Sequence, residues 1–334
     1  MSGVPATMRA WRSADPGLSA LSLADVPCPH PDHGTALIRV EAAALNFSDL
    51  LMIDDRYQIS PPRPFTPGQE IAGTVIALGE GCDLRPGQRV YGKVDWGGFA
   101  EYALMRGDMA IPTPDSVAAN TAAALPIAYI TALVALTEST STTAGQDVLV
   151  LGAAGGVGLA AVQIAHALGA RVIAAVGSAE KGARAREHCA DAIVDYGTQG
   201  WSSNIKELTD GRGVDIVVDP VGGAATREAL RALAWKGRLL VVGFASGEIP
   251  MIPANRLLLN RAAAIGVYWN HDRDAEMIAR VTQRLTAMLS AGAIRPHIGS
   301  IFPFRQLPLA LAALAERRTT GKVILTIADK DVSS

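Results

Sequence analysis

The segment 148–176, VLVLGAAGGVGLAAVQIAHALGARVIAAV, constrains this chain more than any other. It reads as a buried strand (148–151), a glycine turn, a helix (157–168) stopped by Gly169, and a second strand (171–176). Gly155, Gly156 and Gly158 fall at the strand-to-helix turn, with Val157 between them. Glycine lets the backbone approach a pyrophosphate there and lets the helix pack close to the strand. The helix N-terminus then faces the negative charge with its free N–H groups. Ala153 stands where the strict GxGxxG pattern has its first glycine. The strand before and the helix after still give the turn the context of a dinucleotide site.

The end of the second strand selects the cofactor. A site for NADH puts Asp or Glu there to bind the ribose 2′-hydroxyl. Here Gly177 and Ser178 occupy that place, and Lys181 follows. Without a carboxylate to repel it, a 2′-phosphate is admitted and Lys181 can pair with it. The reading is NADPH over NADH.

Strands at 191–194, 214–219 and 238–242 continue the series, with helical patterns between them and a sixth candidate at 262–268. Strands alternating with helices predict a doubly wound parallel sheet. The first 110 residues differ: short strands at 36–40, 73–77, 89–91 and 99–104 are punctuated by Pro and Gly, as in a small β-barrel. Beyond residue 270 come a helix (275–291), a Pro-marked loop, a helix (307–317), a strand (322–327) and a polar tail, DKDVSS, expected to fray.

Composition excludes several classes. With 334 residues, roughly two domains are expected and no disulfides are needed. A net charge of −2 and 5% aromatic residues argue against nucleic acid as a partner. The three cysteines are odd in number and far apart, which fits a reducing cytoplasm. The start lacks the apolar run of a secretory signal. The uncharged stretches 117–136 and 148–165 are interrupted by Pro126 and by dense glycine, so both are expected to be buried in a soluble fold rather than in a membrane.

The motifs NFSDLLMIDDRY (46–57), PFTPGQEIAGTV (64–75), GGFAEY (97–102), AAGGVG (153–158), GSAEK (177–181), DYG (195–197) and GKVIL (321–325) occur in this order along nearly the whole chain. Together they resemble the medium-chain dehydrogenase/reductase superfamily, and within it the zinc-independent quinone oxidoreductases. The resemblance implies a GroES-like β-barrel catalytic domain (1–128), an inserted Rossmann domain for NADP(H) (129–269) and a C-terminal segment returning to the first domain (270–334). It places the cofactor in the cleft between the domains and implies a homodimer through the Rossmann sheet edge, near 263–268. It also assigns Thr131 a place beside the nicotinamide, Tyr196 a contact to the adenosine phosphate, and Lys322 a place near the cleft. Phe244, Ala245 and Ser246 follow a strand of the parallel sheet, where ligands gather.

Zinc-dependent relatives carry a cysteine where this chain has Asn46 and a histidine where it has Gln69. Amides are poor zinc ligands, and Glu70 alone makes no site. The four-cysteine lobe of those relatives has no counterpart before GGFAEY. The run CPHPDH, with Cys28, His30 and His33, invites a metal reading, but its prolines restrict convergence of the three side chains. No metal is expected.

Without a Lewis acid, the best hydride acceptors spread the arriving charge themselves, as quinones and α,β-unsaturated carbonyls do. Two donors could stabilise the resulting anion: Asn46 and, eleven positions later, Tyr57. The same spacing occurs in zinc-free 2-enoyl thioester reductases of the superfamily, which suggests Tyr57 as proton donor. Asp55 replaces a glycine that many relatives have there. Ser48 and Asp49 are read as hydrogen-bonding or helix-capping residues. The expected activity is NADPH-dependent reduction of a small quinone. A rival is C=C reduction of an enone or enoyl thioester. A rival of another class is a non-catalytic crystallin-like or RNA-binding protein.

Overall fold

The computed structural model describes residues 4–327, so the tail DKDVSS lies outside the described residues. These divide into two compact units. One runs to Ile127 and resumes at Ile298; the other is Ala128–His297.

The first unit opens with β1 (Thr7–Ser13) and β2 (Leu21–Pro27), an antiparallel pair not anticipated from sequence. Then come β3 (Thr35–Leu45), β4 (Glu70–Leu78), β5 (Arg89–Lys93), β6 (Tyr102–Arg106) and β7 (Ile111–Pro112). The eleven-residue β3 organises this unit. One edge pairs with β4 throughout, with register shifts at Leu37/Ile38 and Val40/Ala42. Its other edge is shared between two strands: β6 pairs with its first half, over Thr35 to Arg39, and a strand from the chain's end pairs with its second half, over Ala42 to Leu45. Bulges of this kind bend a strand and re-aim it, which lets one strand serve several neighbours.

The second unit holds β8 (Asp147–Leu151), β9 (Arg171–Val176), β10 (Ala192–Asp195), β11 (Val214–Asp219), β12 (Leu233–Val241) and β13 (Ala263–Gly266). All pair in parallel, in the order β10-β9-β8-β11-β12-β13. Numbered within the sheet this is 3-2-1-4-5-6, with its switch point between β8 and β11. Burial on both faces explains the unbroken apolar runs. Val148, Leu149, Val150 and Leu151 are fully buried, each worth roughly 1.5–3 kcal/mol.

The expected return to the first unit at residue 270 falls instead at Ile298. The helix His271–Ser290 packs on Ala128–Leu133 inside the second unit, burying Ile278, Val281 and Leu285. The return itself is β14 (Ile298–Pro303), read from sequence as a loop because prolines bracket it, followed by the helix Leu307–Ala315 and β15 (Lys322–Thr326). Among the described residues no helix is long and apolar enough to cross a membrane.

Candidate functional site

Three strand ends of the first unit meet at one point. Register pairs Val323 with Leu45 and Ile71 with Ala43. This brings Lys322 at the start of β15, Asn46 just past β3, and Glu70 at the start of β4 side by side. Glu70 is fully buried and Lys322 is 3% exposed. The Lys322 ammonium donates to Leu45 O at 2.9 Å, Asn46 Oδ1 at 2.7 Å and Glu70 Oε1 at 2.5 Å. Asn46 Nδ2 donates to Glu70 Oε1 at 2.8 Å, and Glu70 Oε2 accepts the Ile127 N–H at 2.7 Å. Pairing and full hydrogen bonding are what make two buried charges tolerable. Lys322 therefore spends all three protons inside the first unit. Lys322 thus lies directly behind the Asn46 side chain.

Asn46 also caps the helix α1 (Phe47–Ile53). Its backbone N–H donates to Asp49 Oδ2 at 2.7 Å, one half of a capping box. Burial pushes the Asp49 carboxyl up to about 7. The Glu70 charge adds to the rise, and the Asn46 and Gly68 N–H groups and Lys322 oppose it. Ser48 donates to the Gln69 side-chain oxygen. The Ser48 and Asp49 expectations hold in this form.

Tyr57 is half-buried in the loop after α1. One helix of seven residues, about 10 Å long, thus sets the positions of both expected donors. The glycine missing at position 55 is accounted for by geometry. Asp55 has φ 56°, a left-handed conformation that favours glycine and that Asp tolerates better than most residues. Arg63 secures the turn, donating to Asp55 Oδ1 and to Ile53 O, each at 2.8 Å.

In the second unit the loops after β8, β9, β11 and β12 lie at the carboxyl ends of parallel strands. After β8, Gly152 supplies the positive φ (57°) of the turn and Gly155 caps the helix α2 (Gly156–Ala167). Ala153, where the strict motif has glycine, fits the packing: its methyl is buried and its N–H donates to Ala175 O. At Gly158 a Cβ would lie 2.1 Å from Gly152 O, so only glycine lets this helix approach the strand. Gly155 is exposed, Gly156 and Val157 partly so, and first-turn N–H groups have no intrahelical acceptor. After β9, Ser178 caps the helix α3 (Ala179–Glu187) by accepting the Lys181 N–H, and Gly177 faces the Tyr196 ring, to which a Cβ would lie 3.7–3.9 Å away.

Sequence reasoning missed the residue that shapes the switch point. Asp219, fully buried at the end of β11, accepts the Val221 and Gly222 N–H groups at 2.8 and 2.9 Å and the Thr226 hydroxyl. Burial raises its pKa against these bonds. The loop it folds receives the next one: Ala245 N–H donates to Pro220 O and Ser246 N–H to Val221 O. Phe244, Ala245 and Ser246 are thereby brought to the same rim. Thr131 accepts the Trp269 indole N–H at 3.0 Å, a partner the sequence did not suggest. Cys28 is buried while His30 and His33 are exposed, so CPHPDH does not converge.

Comparison with known proteins decides the family. A family model described as alcohol dehydrogenase GroES-like domain matches residues 32–115, and one described as zinc-binding dehydrogenase matches 156–286. The chain is 37% identical over 294 residues to quinone oxidoreductase-like protein 2 of Bos taurus, covering 87% of this chain and 84% of the relative. It is 30% identical over 323 residues to quinone oxidoreductase of Sus scrofa, covering 96% and 97%. The chain belongs to the quinone oxidoreductase family of the medium-chain dehydrogenase/reductase superfamily. Its GroES-like and Rossmann units are those of this superfamily. A solved mycobacterial protein in complex with NADPH is 32% identical, with a TM-score of 0.91, covering 96% of this chain and all of that one.

Membership raises the question of zinc. At the positions of interest stand two amides and a carboxylate. Asn46 and Glu70 both already hold the Lys322 ammonium, and Gln69 accepts from Ser48. A dication placed on acceptors shared with a buried ammonium would meet repulsion and weak ligands. The donor set does not fit zinc. Among the described residues no group of three or more His, Cys, Asp or Glu is arranged to hold a metal ion.

Proposed function

We propose that this oxidoreductase is a zinc-independent, NADPH-dependent reductase of quinones or similarly conjugated carbonyls. The observation that carries the reading is the ammonium-filled amide and carboxylate cluster at Asn46. It offers hydrogen bonding in place of a Lewis acid, so the acceptor must delocalise the charge it receives.

NADPH, when bound, supplies the hydride. The glycine cradle Gly155, Gly156 and Val157 fits a pyrophosphate, since a Cβ at Gly155 would meet only Gly152 O, at 3.4 Å. Gly177, Ser178 and Lys181 would admit the 2′-phosphate, Tyr196 would flank the adenosine, and Phe244, Ala245, Ser246 and Thr131 would line the rest. Asn46 would donate to the oxygen that gains charge, and Tyr57 would donate a hydrogen bond or proton. The reaction balances as quinone, NADPH and one proton drawn from solvent giving hydroquinone and NADP⁺.

Lys181→Ala is expected to weaken NADPH binding about tenfold or more and to leave NADH binding within about twofold, since the lost pair is charge-assisted. Nicotinamide fluorescence titration checks this. Equal losses for both cofactors would contradict the assignment.

The acceptor is tested by offering a small quinone and a matched enone or enoyl thioester side by side, with Tyr57→Phe as control. The reading expects quinone to be preferred and to survive Tyr57→Phe. Preference for the C=C substrate, abolished in Tyr57→Phe, would make the protein an enoyl-type reductase.

The reading includes a homodimer. Among the described residues no strand pairs with the outer edge of β13, and Leu258, Leu259 and Tyr268 near it are 78%, 69% and 69% exposed. An uncovered apolar strand edge invites a second copy. A monomer in analytical ultracentrifugation would contradict this. Three free cysteines accord with a cytoplasmic location, which cell fractionation would test.

A further inference from the structure

The buried group Lys322, Glu70 and Asn46 leaves one donor proton over; beside it, Asp49 Oδ1 is also buried without a partner among the described residues. Lys322 has three protons and three acceptors. Glu70 accepts from Lys322, Asn46 and Ile127. Asn46 spends Oδ1 on Lys322 and one Nδ2 proton on Glu70. Its second Nδ2 proton has no partner among the described residues, although Asn46 is only 8% exposed. A donor proton left over in such a network can still be offered to a further acceptor.

The two charges also decide which way the amide points. Rotating it by half a turn would set Oδ1 against the Glu70 carboxylate and the NH₂ group against the ammonium. Two charge-assisted bonds would become two repulsions. We propose that Lys322 and Glu70 are positioning residues: together they lock the Asn46 amide so that its remaining N–H is permanently aimed at the acceptor oxygen. This rests on the reductase reading above. Neither residue touches substrate or cofactor; both act through Asn46. A donor fixed before the reaction needs no reorientation as charge develops, the condition under which such a donor is most effective.

A mutant cycle tests the clamp. Asn46→Ala is expected to lower kcat about 100-fold, the usual loss of one such donor. Lys322→Met combined with Glu70→Gln removes both charges while nearly keeping shape. It is expected to lower kcat about tenfold or more, with KM for NADPH unchanged. Added to Asn46→Ala, the same pair is expected to cost nothing further, because the amide it positions is gone. Glu70→Gln alone should follow the same non-additive pattern in kcat, with a loss of stability of its own because it leaves the buried ammonium without its carboxylate. Equal losses with and without Asn46, or no loss at all, would overturn the clamp.

Side-chain amide NMR separates this from failure of the reductase reading. The clamp predicts that one Asn46 Nδ2 proton is protected from exchange in the wild type and that this protection is lost in the double variant. Wild-type protein that turns over no acceptor but shows this pattern would refute the reading and keep the clamp. Identical exchange in both proteins would refute the clamp whatever the activity.

Discussion

Gly158→Ala is expected to destabilise the second unit and abolish measurable NADPH binding. The added Cβ would lie 2.1 Å from Gly152 O and 2.8 Å from the Ala153 Cα. Both obstacles are backbone, so no side chain can swing aside. Real Cβ contacts essentially never fall under 3.0 Å, so α2 must retreat by about 1 Å from the strand that it covers. Overpacking of this kind costs about 1–3 kcal/mol in a well-packed core. It also displaces the N–H groups of the turn from the phosphates they would bind. Gly155→Ala is the control. Its Cβ meets only Gly152 O, at 3.4 Å, and the residue is exposed. That variant should keep its thermal midpoint and lose cofactor affinity alone. Calorimetry with fluorescence titration distinguishes the two; a Gly158→Ala protein with wild-type midpoint and affinity would contradict the packing argument.

The second large effect concerns the buried ion pair. Lys322→Met leaves the fully buried Glu70 carboxylate without its cation. Breaking such a pair from one side costs about 3–5 kcal/mol, whereas removing both charges is often neutral. Lys322→Met should therefore unfold at a markedly lower urea concentration, and adding Glu70→Gln should restore most of the loss. A single variant as stable as the wild type would show that the pair is not what holds β3, β4 and β15 together at this point.

The parallel sheet was legible because its signals are local. A buried strand, a glycine turn and a helix follow one another within 148–176, and the strands are apolar on both faces. The switch-point order was not legible, because it depends on which strand β11 joins. The β1/β2 pair escaped notice because its burial is partial and irregular, with little alternation to read. Asn46 and Tyr57 could be singled out only because their spacing resembles that of zinc-free 2-enoyl thioester reductases. The cluster that holds Asn46 could not, since Glu70 and Lys322 lie 252 residues apart and meet only because β3 divides one edge between β6 and β15. Lys322 sits before an apolar strand and looks like a charge available to a ligand; its burial is a property of register. Asp219 was passed over for a similar reason: a strand-terminal Asp before Pro-Val-Gly-Gly has a local turn signature, but its importance comes from the loop at Phe244 that docks on that turn.

The most direct test of the account is an anaerobic single turnover. Purified protein is loaded with one equivalent of NADPH and mixed with excess small quinone, while nicotinamide absorbance is followed. The account predicts rapid loss of one NADPH per subunit, formation of one hydroquinone, and no dependence on added zinc or chelator. NADPH that outlasts both quinone and enone, or turnover that appears only with added zinc, would contradict it.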